Sequence, residues 1–279
     1  MSGAVEMGEL ETKEQQLEAR LGKLTSLIVA YSGGVDSAYL AHAAHHVLGR
    51  RMLAVTALSA SYSARDRAEA EKCIAQFHFP HEFVETNELA NPSYRANNPD
   101  RCYFCKDELF EKLDELAGRL GFAAVAYGIN KDDLGDWRPG QQAAREHKVL
   151  TPLLDAGLTK ADIRELSRRV KLPVWDRPAS ACLSSRIAYG IEVTPHRLAV
   201  VEKGEEAVRN LGFRQFRVRY HDELVRIEIS LEELPRALEP AMTRQFVDIF
   251  KSLGFKFVTL DLEGYRTGSM NTLLVNIQK

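Results

Sequence analysis

The chain lacks the features of a membrane, secreted or nucleic-acid-coating protein. No apolar run in its 279 residues approaches the length of a membrane span. Residues 1–21 are acidic and polar, without the basic start and apolar stretch of a signal peptide, so the cytoplasm is the expected compartment. Four cysteines are too few for a disulfide scaffold in a chain this long, and a reducing compartment keeps them as thiols. A formal net charge of −2 gives no global pull toward nucleic acid or anionic lipid. There is no internal repeat, no low-complexity segment and no Walker GxxxxGK[ST] pattern. What is present is ordinary globular composition. With 45% hydrophobic residues, the chain can bury the core of one large domain or two smaller ones.

One hexapeptide stands out, Ser32-Gly33-Gly34-Val35-Asp36-Ser37. An apolar run, Leu27-Ile28-Val29-Ala30-Tyr31, precedes it and a helical pattern follows it. Strand, glycine turn and helix N-terminus together make an anion site, because glycines let backbone N–H groups approach closely and the helix end carries partial positive charge. Ser32 and Ser37 add hydroxyl donors. Asp36 repels phosphate unless it orders the loop or meets a magnesium ion. With no lysine in the loop to reach a terminal phosphate, the pattern suits pyrophosphate as a leaving group.

Periodicity predicts helices over 11–23, 36–48, 64–77, 105–120 and 160–170, the last opened by a capping box at Thr159. Strands are predicted over 27–31, 51–58, 82–85, 123–127 and 148–151, with 91–101 as loop. Strands alternating with helices imply an α/β doubly wound parallel sheet, whose ligands sit at the carboxyl ends of the strands. The pattern changes after Tyr189. A helix over 195–211, strands over 215–220, 224–229 and 256–260, and two more helices make a smaller C-terminal α+β domain. The expected division is an N-terminal helix (1–24), a nucleotide domain (25–176), a cysteine-bearing linker (177–193) and a substrate domain (194–279).

Cys102 and Cys105 form a single CxxC, compatible with zinc, a redox pair or an iron–sulfur cluster. Cys182 lies in a segment of small residues ending at Arg186, and a thiol beside a guanidinium gains thiolate character. Three thiolates can bind three irons of a [4Fe–4S] cube and leave the fourth open. Cys73 is expected as a small core residue. His42, His45 and His46 share a helical spacing but have no acidic or cysteine partner there, so packing is the expected role.

SGGVDS, the Cys102-Tyr-Phe-Cys-Lys106 segment, the run from Trp175 to Gly190, Arg217-Val-Arg219 and the run from Asp261 to Met270 occur in one order along nearly the whole chain. In this set the sequence resembles the LarE sulfur transferases of the PP-loop ATP pyrophosphatase superfamily, in their three-cysteine form. The resemblance implies an enzyme that adenylates a carboxylate of pyridinium-3,5-biscarboxylic acid mononucleotide with ATP and Mg²⁺, releases pyrophosphate and inserts sulfur, taken either from a sacrificed Cys182 or from sulfide on the open iron of a cluster. The product is a thiocarboxylate on the route to the nickel-pincer nucleotide. It also implies that Cys102, Cys105 and Cys182 ligate a [4Fe–4S] cluster, with sulfide or another sulfur donor as partner, and that the chain forms a homo-oligomer such as a hexamer.

Residue roles follow from position in the pattern and from the resemblance. Ser32, Gly33, Gly34, Asp36 and Ser37 hold the phosphates. Ala57, Ser59, Arg65, Gly128 and Asn130 lie by the nucleotide, and Asp132 and Asp133 are candidate magnesium ligands with Asp36. Lys106 can meet a substrate carboxylate or phosphate, and Cys182, Asp36 and Lys106 form the catalytic set. Arg217 and Arg219 share one strand face and, with Ser185 and Arg186, form a clamp for the substrate phosphate. Glu205 and Glu206 are further candidates beside that clamp. A tRNA thiolase of the same superfamily would need a basic RNA surface, which the net charge does not favour. An ammonia-using synthetase such as NAD synthetase would not need Cys182, and an ATP-sensing module would release no pyrophosphate.

Overall fold

The computed structural model describes residues 8–135, 139–178, 181–266 and 268–269. Asp136, Trp137, Met270 and the residues after it therefore lie outside the description. The chain forms two compact units. One holds the chain to Thr86 and again from Cys102; the other holds Asn87–Arg101 and the chain from Ala181 on.

In chain order the elements up to the first excursion are α1 (Glu9–Leu21), β1 (Leu27–Ala30), α2 (Val35–Leu48), β2 (Met52–Leu58), α3 (Ala64–Phe77) and β3 (His81–Glu85). The short α4 (Pro92–Arg95) belongs to the second unit. The first unit resumes with α5 (Arg101–Leu120, from its second residue), β4 (Val125–Tyr127), α6 (Gly140–Glu146), α7 (Pro152–Asp155) and α8 (Lys160–Arg169).

The first unit is built on a parallel sheet in the order β3-β2-β1-β4. Successive side chains of a strand face opposite sides, and here both sides are covered, which is why β1 reads as an unbroken apolar run. Leu27 and Val29 enter the core made with α1, α2, α3 and α8. Ile28 and Ala30 pack with Phe110, Leu113 and Leu116 of α5 and with Ala143 and Ala144 of α6. The chain leaves β1 toward β2 and β3, then returns to place β4 on the other side. This puts a topological switch point at the carboxyl ends of β1 and β4.

Two local expectations differ from what is observed. Residues 148–151 make no ladder strand; Leu150 forms one isolated bridge with Ala126 before Pro152 opens α7. Residues 91–101 contain α4, whose start is capped by the Asn91 side chain accepting from Ser93 N at 2.9 Å. These residues belong to the second unit and not to the first. The buried Asn97 and the Arg95 backbone bond to residues 187–193, so the segment packs in the second unit.

The second unit continues with α9 (Pro195–Asn210), β5 (Phe216–His221), β6 (Leu224–Ile229), α10 (Leu234–Ala237), α11 (Pro240–Ser252) and β7 (Phe257–Leu260). β5 and β6 are antiparallel, and β7 adds to β6 in parallel. Phe216 and Val218 of β5 enter a core with Phe213, Phe246 and Phe250, so Arg217 and Arg219 occupy the opposite face. Among the described residues no helix is long and apolar enough to cross a membrane.

Candidate active site

In the first unit the loop after β1 requires its glycines. Gly33 has φ +76°, and a Cβ there would stand 3.0 Å from the Ala70 side chain. Gly34 is the N-cap of α2 and no side chain caps that helix end, an arrangement that favours an anion. The two serines tie the loop together. Ser37 Oγ accepts from Ser32 N at 3.2 Å, donates to Gly34 O at 3.0 Å and lies 3.1 Å from Ser32 Oγ.

The end of β4 lies hard against this loop. A Cβ at Gly128 would stand 2.7 Å from Ser37 N and 2.9 Å from the Asp36 carbonyl carbon, so only glycine permits the approach. Asn130 Nδ2 donates to Asp36 Oδ1 at 3.4 Å. Asp132 and Asp133 order the turn that follows: Asn130 N donates to Asp133 Oδ2 at 3.1 Å, and Asp132 N to Asn130 Oδ1 at 2.9 Å.

Asp132 Oδ2 also accepts from Lys160 N at 2.8 Å, and the Lys160 ammonium pairs with the Asp36 carboxylate. The cation that the loop lacks is thus supplied from the start of α8. Sequence reasoning placed Lys160 only inside the capping box, which is present: Asp162 N donates to Thr159 Oγ1 and Thr159 N to Asp162 Oδ2. A lysine just inside a helix start carried no further signal.

A pocket of about 80 Å³ opens at the carboxyl ends of β1 and β2, with Ser32, Thr56, Ala57, Tyr62, Lys106 and Leu109 in its wall. Tyr62 donates to Ser32 O at 3.3 Å or to Asp66 O at 3.2 Å, and burial raises its pKa, so the phenol keeps its proton. Asp66 is paired with Arg177. The Lys106 ammonium stands 5.6 Å from the Phe110 ring centroid and 6.0 Å from that of Tyr127, within cation–π range. Thr56 Oγ1 is 2.9 Å from His81 Nε2, and burial pushes the His81 pKa down to about 4. Ser59 accepts from Ser61 N at 3.2 Å within the turn after β2, and Arg65 is exposed on the first turn of α3.

In the second unit Cys182 is exposed and caps a short 3-10 turn, Leu183–Arg186. Its Sγ lies 3.0 Å from the hydroxyl of the wholly buried Ser184. Three guanidiniums hold the carbonyls of this turn. Arg101 donates to Ser184 O at 2.9 Å, Arg186 to Cys182 O at 3.1 Å, and Arg219 to Ser185 O at 3.2 Å.

Arg186 and Arg219 are also ion-paired. Arg186 meets Glu205 at 2.8 Å, and Arg219 meets Glu228 at 2.9 Å and Ser269 Oγ at 2.9 Å. Arg217 stacks on Tyr265 at 5.0 Å; burial, then the neighbouring Arg186, holds its pKa below the usual guanidinium range. The structure therefore gathers Ser185, Arg186, Arg219 and Glu205, with Arg217 in the electrostatic reach of Arg186, and leaves Glu206 exposed on α9. Glu228 and Asn97 were not marked by any sequence pattern; Arg101 and Ser269 lie in or beside marked segments, but no role was assigned to them.

Cys102 and Cys105 lie one turn apart at the start of α5, the first exposed and the second half-buried, so both thiols can serve one group. Cys73 is buried and its thiol pKa is raised by burial. Among the described residues no three His, Cys, Asp or Glu side chains are gathered tightly enough to hold a metal ion. For Mg²⁺ this fits the donor set, because that ion takes one or two carboxylates and completes its shell with phosphates and water. Asp36 at the loop is such a carboxylate. His42 and His45 pack on Phe77 and Phe79, at ring-centroid distances of 5.4 and 6.5 Å.

No protein-family model matches the chain. Three known proteins align over most of their length. An uncharacterized protein of Synechocystis sp. is 43% identical over 265 residues, covering 95% of this chain and 99% of that protein. The pyridinium-3,5-bisthiocarboxylic acid mononucleotide synthase of Lactiplantibacillus plantarum is 34% identical over 275 residues, 98% of each chain. An uncharacterized protein of Methanocaldococcus jannaschii is 28% identical over 246 residues, 88% of this chain and 92% of that protein.

Proposed function

This chain belongs to the LarE-type family of pyridinium-3,5-bisthiocarboxylic acid mononucleotide synthases, and from that membership we propose that it is an ATP-dependent sulfur transferase. Its substrate is pyridinium-3,5-biscarboxylic acid mononucleotide and its product the corresponding thiocarboxylate. The observation that supports ATP use is the loop 32–37, with Gly128 pressed against it and Lys160 standing over Asp36.

A carboxylate resists substitution because its oxygen leaves badly. In the first step a substrate carboxylate oxygen attacks the α-phosphorus of ATP. The bond to the bridging oxygen breaks, and pyrophosphate leaves. The amides at the start of α2 and the hydroxyls of Ser32 and Ser37 receive its charge. When ATP binds, Lys160 exchanges its contact with Asp36 for a phosphate oxygen. Asp36 would then be a protein ligand for Mg²⁺, which would supply Lewis-acid activation. Lys106 holds the reacting carboxylate against the α-phosphate. Ser185, Arg186, Arg217 and Arg219 orient the substrate through its own phosphate.

In the second step sulfur attacks the acyl carbon, the bond to the phosphate oxygen breaks, and AMP leaves with the electron pair. Cys102, Cys105 and Cys182 are the thiolates that would hold a [4Fe–4S] cluster. What that group would supply is one iron without a protein ligand, open to exogenous sulfide. Ser184 and the guanidiniums of the Cys182 turn keep the third thiolate in place.

The test combines the protein, reconstituted without oxygen, with ATP, Mg²⁺, sulfide and the biscarboxylic acid mononucleotide. Pyrophosphate and AMP in equal amounts, with a mass change of one oxygen replaced by sulfur, are expected. Pyrophosphate release without any sulfur-containing product, in protein with its iron and sulfide measured, refutes the transferase reading.

A further inference from the structure

The turn carrying Cys182 and the residues that follow it are tethered to one short segment, Asn87–Arg101. Asn97 is fully buried and sits at φ +55°, a conformation that Asn tolerates better than most residues. Its amide nitrogen faces three carbonyls, those of Ile187 at 3.2 Å, Ala188 at 2.9 Å and Ile191 at 3.0 Å, and its backbone carbonyl accepts from Gly190 N at 3.1 Å. Val193 N donates to Arg95 O at 2.8 Å. The Asn97 side-chain oxygen accepts from Arg101, whose guanidinium also donates to Ser184 O. Arg101 itself is 4% exposed.

We propose that Arg101 is a positioning residue for the Cys182 sulfur, acting through Ser184. Its guanidinium fixes the Ser184 peptide, and the buried Ser184 hydroxyl, 3.0 Å from Sγ, then holds the sulfur in one orientation. The proposal rests on the reading of Cys182 as a sulfur-handling residue.

Arg186 and Arg219 also bond the turn, but they are the arginines assigned to the substrate phosphate. A phosphate that recruits them weakens their grip on the Cys182 and Ser185 carbonyls. Arg101 has no such competing assignment, so it keeps the turn in place while substrate is bound. Losing a charge-assisted hydrogen bond to a buried carbonyl frees the turn by about tenfold in its opening equilibrium, or more.

The experiment uses Arg101→Gln, Arg101→Lys and Ser184→Ala in the full chain. Hydrogen exchange of residues 181–191 is read by mass spectrometry without ligands. Pyrophosphate release and thiocarboxylate formation are read separately. In Arg101→Gln the 181–191 amides should exchange about tenfold faster, with residues 32–40 unchanged. Thiocarboxylate formed per pyrophosphate should fall by a similar factor. Arg101→Lys should recover part of both. Ser184→Ala should lose product yield per pyrophosphate while its 181–191 exchange stays as in the parent, a split that a purely structural role does not produce.

Unchanged exchange in Arg101→Gln overturns the proposal, as does an equal fall in pyrophosphate release and product in the two neutral variants. Should the parent protein make no thiocarboxylate at all, the functional reading fails, and the exchange comparison alone still decides whether Arg101 fixes the turn.

Discussion

Replacing Gly128 by alanine places a methyl group 2.7 Å from Ser37 N, 2.9 Å from the Asp36 carbonyl carbon and 3.0 Å from Ser37 Cα. All three atoms are backbone in the first turn of α2, so none can swing aside as a side chain would. Ordinary contact needs about 3.4 Å, and the end of β4 must therefore part from the loop by about 0.7 Å. Overpacking of this kind costs about 1–3 kcal/mol. At about 2–4 °C per kcal/mol, Tm should fall by roughly 2–12 °C.

The functional loss should exceed the stability loss. A misplacement approaching 1 Å in a positioned phosphate site costs on the order of a hundredfold in rate. Pyrophosphate release with ATP and the biscarboxylic acid mononucleotide is the assay, run well below Tm so that unfolding does not contribute. Gly118→Ala is the control. Gly118 lies within α5 with nothing within 4 Å of a built Cβ, so alanine there should stabilise by up to about 1 kcal/mol and leave the rate alone. If Gly128→Ala keeps both the parent Tm and a rate within about twofold of the parent, the close packing of β4 on the loop does not position phosphate, and the reasoning fails.

Lys160→Met leaves the Asp36 carboxylate facing the phosphates without its cation, and ATP affinity by calorimetry should drop about tenfold to a hundredfold, the range for a charge-assisted hydrogen bond; unchanged affinity removes Lys160 from the phosphate site. His81 is held near pKa 4 by burial against an ordinary value of 6.5, so it is neutral when folded and takes up a proton on unfolding. Stability should therefore be full above pH 6.5 and fall by about 1–2 kcal/mol as pH drops from 6.5 toward 4, the shift being discounted for a ring that stays partly solvated; urea unfolding measures it, and His81→Gln should flatten that slope. Glu228 is wholly buried between Arg219 at 2.9 Å and Arg226 at 3.1 Å; Glu228→Ala removes the carboxylate they share, leaving Arg226 its pair with Asp261 and Arg219 its bond to Ser269, and should cost about 3 kcal/mol in thermal unfolding, whereas a loss under about 1 kcal/mol would mean that the pairs do not hold the second unit together.

The glycine loop after β1 and the parallel sheet were readable in the sequence because their signals are local. Two glycines, a buried strand before them and a helix after them lie within a dozen residues. The alternation of β5 likewise put Arg217 and Arg219 on one face without reference to anything distant. What the sequence did not reveal depends on where remote segments meet. Lys160 reaches Asp36 across 124 positions, and nothing in a capping box announces that contact. Arg186 and Arg219 looked like open phosphate ligands, but their burial demanded carboxylates, which came from Glu205 on α9 and Glu228 on β6. Residues 148–151 had the composition of a strand, but only Leu150 bridges Ala126 before Pro152 opens α7. Asn97 and Arg101 sit in a stretch with loop composition, and their burial follows only from the carbonyls of residues 184–191 that they satisfy.

The excursion of Asn87–Arg101 into the second unit also orders events on the ribosome. These fifteen residues are made before the partners they bond, which first appear at Ser184 and end near Val193. At about 5–20 residues per second the interval is on the order of five to twenty seconds. During that time the sheet of the first unit can close around α5 with this segment looped out between β3 and α5. Asn97, fully buried at the end, must meanwhile stay solvated. The Asn97 contacts with residues 187–191 therefore form late in synthesis, and a nascent chain halted before Tyr189 should expose the 87–101 segment to protease while its nucleotide loop is already protected.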